Sequence, residues 1–202
     1  MRIERSGEGL NILPVDIDQI EVHFSMLGAE DIEGVTPYIL AAAREIEDFA
    51  GLALIRQTIT LRNVRFDVRR SSTWWSGVRQ GIPETARDMG VRPVFLPVRP
   101  ATELVSIAHA DDGTLLALHG FRIYGVDDPE LQPRGAVPSG SLDVAYTAGY
   151  GDDPAPVPAD LRLAVLDHAL RLYERRGDET ATPAGLSAAA ARIVGRYRRV
   201  HL

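Results

Sequence analysis

The run Ser141-Leu142-Asp143-Val144-Ala145-Tyr146-Thr147-Ala148-Gly149-Tyr150-Gly151-Asp152-Asp153-Pro154-Ala155-Pro156-Val157-Pro158-Ala159-Asp160-Leu161 changes character twice. Leu142, Val144 and Tyr146 alternate with polar or small residues, the period of a half-buried strand. Gly149 to Pro154 then concentrates the residues that make turns. Pro158-Ala159-Asp160 opens a helix expected to reach about Arg176, with Gly177 as its stop. Leu161, Ala164, Val165, His168 and Leu172 form one of its faces, and Leu163, Leu166, Leu170 and Tyr173 a second. A helix apolar on most sides is buried or packs against another subunit.

Upstream, the same two periods alternate. Ile17, Ile20, Phe24 and Leu27 share one face of a short helix that Asp16 can cap and Gly28 can stop. Val35, Ile39, Ala43, Ile46 and Phe49 or Ala50 predict a second helix, starting near Glu30 or Asp31, or at Thr36-Pro37, and ending before Gly51. Gln57 to Phe66 reads as a strand. Residues 70–92 are rich in Ser, Gly, Arg and Pro, carry Trp74-Trp75 and read as a long loop or an extended hairpin tip. Phe95 to Pro100 is extended, because each Pro keeps its predecessor out of the helical region. Glu103 to Ala110 and Thr114 to Leu118 flank Asp111-Asp112-Gly113 as a hairpin, and Phe121 to Tyr124 is another short strand. Ser187 can cap a final helix bearing Ile193, Val194, Tyr197 and Val200 on one side and Arg192, Arg196 and Arg199 on the other. Residues 1–13 read as a loose arm, since Gly7 and Gly9 break any pattern.

The class is therefore α+β in a single domain of 202 residues. Two N-terminal and two C-terminal helices form a helical core around an inserted antiparallel sheet or hairpin region with a long loop. Ile39, Ile46, Phe49, Leu161, Val165 and Leu172 are the expected core.

Charge is unevenly placed. All 22 basic residues are Arg, and the net charge is −6. Residues 1–161 hold 24 acids and 14 Arg, whereas residues 162–202 hold 4 acids and 8 Arg. An acidic body with a basic tail is a pattern for docking onto a partner, and the net negative charge argues against a protein that coats DNA. The absence of Cys excludes disulfide frameworks, thiolate zinc sites and a Cys nucleophile. No apolar run approaches the ~20 residues that span a bilayer, and no apolar stretch follows Met1 to Ser6 as in a secretory signal. Synthesis in the cytoplasm is the expectation.

Catalytic motifs are missing where they were sought. There is no phosphate-binding loop, no H-E-x-x-H and no G-x-S-x-G. The Asp pairs at 111–112, 127–128 and 152–153 each precede Gly or Pro and read as turns, since a carboxylate cage needs more converging oxygens. His168 reads as a core or interface residue. His23, His109, His119 and His201 have no partner at ligand spacing. A small hydrolase using His168 and Asp152, and a DNA-binding module using the last helix, are the weaker alternatives.

The order of segments resembles the head–tail connector, or adaptor, family of tailed bacteriophages and gene transfer agents. The resemblance runs from about Pro14 to Arg199. It rests on Tyr38-Ile39-Leu40-Ala41-Ala42-Ala43-Arg44-Glu45-Ile46-Glu47-Asp48-Phe49, on Leu96-Pro97-Val98-Arg99-Pro100, and most specifically on Val144 to Gly151, Val157 to Leu161 and Tyr173-Glu174-Arg175-Arg176-Gly177. It implies a structural virion protein without catalysis, cofactor, metal or membrane contact. The implied assembly is a homo-oligomeric ring, a dodecamer, in the neck of the particle. The ring would lie between the portal protein and the tail-side stopper and extend the channel for double-stranded DNA without binding it specifically. About twelve copies at −6 each put roughly −72 on the ring, a field that keeps DNA off the wall. The Lys-free composition favours a gene transfer agent. The resemblance further implies portal binding through the C-terminal segment 187–202, by Arg192, Arg196, Tyr197, Arg198 and Arg199. Trp74, Trp75 and Arg79 in the long loop are the expected contacts to a neighbouring subunit or the tail-side protein.

Overall fold

The computed structural model describes residues 1–25, 32–66, 91–126, 128–136, 138–176 and 185–199. The expected stops at Gly28 and Gly177, and the 70–92 loop short of Val91, lie outside the described residues. The fold is α+β. Its helices are α1 (Ile17–Ser25), α2 (Ile32–Ala50), α3 (Ala159–Glu174) and α4 (Ala188–Val194). Its strands are β1 (Arg2–Ser6), β2 (Gln57–Val64), β3 (Val94–Phe95), β4 (Ala101–His109), β5 (Phe121–Tyr124), β6 (Glu130–Pro133) and β7 (Leu142–Ala148).

The strands form two antiparallel sheets, ordered β1-β2-β7-β4 and β3-β6-β5. β7 is central in the larger sheet, and its side chains alternate buried and half-buried along its whole length. Its Tyr146 is fully buried, with a hydroxyl that donates to the Val98 carbonyl and accepts from the Val98 N–H, both at 3.1 Å. Burial pushes that phenol's pKa far up.

Apolar side chains collect in two clusters. Ile20 and Phe24 of α1, Ile39 and Ile46 of α2, Leu161 and Val165 of α3, and Ile193 and Val194 of α4 make the helical core. Ile59 and Leu61 of β2, Ile107 of β4, Val144 and Tyr146 of β7, Leu96 and Leu131 make the sheet core. Residues 52–55 join the two. In this segment Leu52, Leu54 and Ile55 belong to the helical core and Ala53 to the sheet core. Gly149 allows the turn after β7 to press on this junction. Its φ is +133°, and a Cβ there would sit 2.6 Å from the Arg56 backbone.

One buried polar seat closes the junction. The Glu47 carboxylate of α2, 5% exposed, accepts from the Leu54 N–H at 2.7 Å, Gln57 Nε2 at 3.0 Å and Arg5 Nη1 at 3.1 Å. Arg5 also reaches the Leu52 carbonyl and Asp48. Helix, crossing segment and first strand thus share one anion.

Several expectations change. Residues 1–13 are no loose arm: Arg2–Ser6 pairs with β2 from Arg2↔Arg62 to Ser6↔Thr58, and a 3-10 turn covers Glu8–Asn11. Thr36-Pro37 lies inside α2, where Thr36 Oγ1 bonds back to the Ile32 carbonyl instead of capping. After Asp111-Asp112-Gly113 the chain makes one bridge, Ala108↔Leu115, rather than a full second strand. Strand β6 had no expectation. Of the expected core, Phe49 is 38% exposed and Leu172 half-buried.

Removing Arg5 strips the buried carboxylate of its counter-charge, so Arg5→Ala is expected to cost about 3 kcal/mol in urea unfolding. Burial raises the Glu47 pKa above its ordinary value, against the Leu54 N–H and Arg5, which lower it. A carboxylate raised in this way holds more protons in the folded than in the unfolded chain. Its contribution is complete below 4.5 and is lost as pH rises through the folded value. The stability difference between wild type and Glu47→Gln should therefore shift in favour of wild type as pH falls from neutral toward 4.5, as read by thermal melts across pH.

Candidate interaction surfaces

The C-terminal basic residues do not form one helical stripe. Ser187 caps α4 as expected, its hydroxyl accepting from the Ala190 N–H at 3.1 Å. The helix ends at Val194, and the chain continues in turns. Of the expected helix over 187–202, the described residues form a helix over Ala188–Val194 followed by turns; Val200 to Leu202 lie outside the described residues, and the spacing of Arg192, Arg196 and Arg199 no longer places them on one face.

The tail binds its own body. The Tyr197 hydroxyl donates to Asp160 Oδ1 at 2.8 Å, and Arg196 reaches Asp160 Oδ2 at 3.3 Å. Arg99 donates to the Tyr197 carbonyl. Arg198 lies over the Phe49 ring, 5.0 Å from its centroid. Arg199 lies over Phe95 at 3.6 Å and pairs with Asp128 at 3.0 Å. The segment 196–199 therefore ties the start of α3 and the end of α2 to the smaller sheet. Burial, then the Asp160 hydrogen bond, push the Tyr197 phenol up to about 12. Arg192, Arg196 and Arg198 keep exposed side chains. Trp74, Trp75 and Arg79 lie outside the described residues.

The remaining candidates have local jobs. Asp112 Oδ1 accepts from the Thr114 N–H at 2.9 Å, which holds its carboxyl below the usual range. Asp153 accepts from the Ala155 N–H at 3.0 Å, and Asp152 pairs with Arg56 on the surface at 2.9 Å. Buried His168 accepts at Nδ1 from the Ser187 N–H at 3.2 Å, which leaves Nε2 to donate to Glu45 at 2.8 Å. It fastens α3 to α2 and to the cap of α4, and no contact among the described residues joins it to Asp152. Among the described residues no group of three His, Asp or Glu side chains is placed to hold a metal ion. None of the helices among those residues is long and apolar enough to cross a membrane.

No family model and no curated protein matches the chain. Solved structures do. One chain, in the neck of a native gene transfer agent particle computed with C12 symmetry, superposes with a TM-score of 0.68 at 22% identity. It covers 100% of this chain and 97% of its own length. The chain has the fold of a gene transfer agent neck component. A chain of the neck of an empty particle, computed with C6 symmetry, agrees at TM-score 0.70 and 22% identity, with the same coverage. So does a chain of the virion of a native gene transfer agent, at TM-score 0.68 and 23% identity, again over 100% and 97%. At these identities the likeness is one of fold, and it covers all of this chain and 97% of each matched chain.

Sequence reasoning found the tail's basic residues but not their receivers. Asp160 read as a helix-opening residue and Asp128 as part of a turn, and nothing local linked either to residues 196–199.

The Tyr197 bond to a carboxylate gives a direct readout. Tyr197→Phe is expected to cost about 1–2 kcal/mol in denaturant unfolding. A phenol raised when folded contributes its full share below 10 and loses it as pH rises through about 12, so the difference from Tyr197→Phe should shrink over that interval. Asp160→Asn should lower the Tyr197 titration midpoint in ultraviolet absorbance.

Proposed function

We propose that this chain is a structural neck protein of a gene transfer agent or phage-type particle. Twelve or so copies form an adaptor ring between the capsid portal and the tail-side stopper, and the ring continues the DNA channel. The observation that carries this reading is the full-length fold match, in both directions, to chains in necks computed with C12 and C6 symmetry. The net charge of −6 per copy supports it, because a repeated acidic subunit repels the DNA that passes through. In this reading the exposed Arg192, Arg196 and Arg198 are the portal-facing cations, while Tyr197 and Arg199 hold the tail in place for them. Trp74, Trp75 and Arg79 serve a neighbouring copy or the tail-side protein. No catalytic step, cofactor or metal is assigned.

Mass photometry of the chain alone, and then with the portal ring of the same particle, tests the proposal. The expected result is a discrete species that adds about twelve chains to the portal, consistent with closed cyclic assembly. Reversing charge with Arg192→Glu, whose exposed side chain makes no ion pair among the described residues, should weaken that species at least tenfold and leave the thermal melt unchanged. A wild-type chain that stays monomeric and ignores the portal would overturn the reading.

A further inference from the structure

An open groove of about 370 Å³ lies between α1 and α3, bordered by Gln19, Val22 and His23 on one side and Arg162, Leu163 and Leu166 on the other. Its floor and lips are apolar: Leu166 is buried, whereas Val22 is 73% and Leu163 51% exposed. Its polar atoms are incomplete. Gln19 Oε1, His23 Nε2 and Arg162 Nε are each buried, and none has a hydrogen-bond partner among the described residues. Buried polar atoms are normally paired, and these three belong to side chains that border one groove while the atoms themselves are closed off beneath its surface. Arg162 is fixed from its far end by Asp16, 2.7 Å from Nη1, so Nε has a set direction. Asp18 and Glu21 stand exposed on the same helix, with no ion pair among the described residues.

The occupant this site asks for has an apolar body, a tip that can both donate and accept, and a cation beside it. The outer face of the smaller sheet presents that combination. Tyr124 is 51% exposed, and the Arg122 guanidinium lies over its ring at 4.3 Å. Among the described residues the Tyr124 hydroxyl has no hydrogen-bond partner, and Arg122 is bonded to Gln132 and to no carboxylate. Val126, 73% exposed, continues the apolar surface. α1 belongs to the helical core and β5 borders the sheet core, so the two patches are separate on one chain. A ring closed by rotation needs such an arrangement, in which one patch meets a different patch of the next copy.

We infer that the Arg122–Tyr124 face of one copy seats in the α1–α3 groove of the next, an inference that rests on the ring reading above. The Tyr124 ring lies on Leu163 and Leu166. Its hydroxyl lies at the polar edge formed by Gln19 and Arg162, while Arg122 faces Asp18 and Glu21. Aromatic side chains with a polar tip and an adjacent Arg are the usual anchors of such contacts.

The absence of native Cys makes the test clean. Val22→Cys and Val126→Cys in one chain spare the proposed anchors and alter two exposed positions. Oxidation of the portal-bound assembly should then give a ladder of dimers, trimers and larger covalent species, and each single-Cys chain should give none. Leu163→Arg, which fills the groove with a second cation, and Tyr124→Ala should each raise the concentration needed for half-assembly at least tenfold, with unchanged melting temperatures. Rings of wild-type mass that yield no ladder and tolerate both substitutions would overturn this contact and leave the ring reading intact. A wild-type chain that forms no portal-bound ring would overturn both.

Discussion

A carboxylate taken out of water must find its compensation within the protein, and that requirement at Glu47 organises the molecule. Its partners come from the segment after α2, from the first residue of β2, and from Arg5 in the strand at the chain's beginning. The two apolar cores share no helix or strand. They touch through residues 52–55, the segment whose backbone Glu47 holds. The helices therefore take their position on the sheet from a polar contact, and the apolar packing on each side follows from it.

The tail supplies the same kind of connection on another face. Residues 196–199 carry three arginines, and each is received by a ring or a carboxylate of a different element: Phe49, Phe95, Asp128 and Asp160. Because Arg has a planar fork over a delocalised charge, it can stack on one group while pairing with another, as Arg199 does. A chain without lysine has that geometry at every cationic position. The basic excess of the C-terminal quarter thus stabilises the fold as well as leaving Arg192 and Arg198 outward.

The elements legible in the sequence were those with a strong period. Leu142, Val144 and Tyr146 marked β7, and the apolar spacings of α2 and α3 marked those helices to within a few residues. β1 escaped because Arg2-Ile3-Glu4-Arg5-Ser6 has one apolar side chain, and what holds it is pairing to β2 and the Glu47 seat, both distant in sequence. β6 escaped because Leu131 alone is buried in it. Phe49 satisfied the helical period yet lies on a face that a cation covers. The tail misled in the opposite sense. Its arginines recur at helical spacing, but the helix stops one residue before Gly195, so the period continued where the structure did not. The groove left no sequence signal beyond an apolar second face on α3, because Gln19, His23 and Arg162 converge only in the folded chain.

The borders of the larger sheet carry a consequence of their own. β1 shows Arg2 and Glu4 at its rim. β4 shows Thr102 and Glu103, and its ladder to β7 shifts register twice. Charged and irregular margins are poor templates for another strand. A backbone ladder accepts nearly any sequence and has no natural end, so it carries no address and cannot count. With those margins guarded, the ring proposed above would be held by side chains, whose fit specifies one angle. A fixed angle, repeated, can return to its starting point.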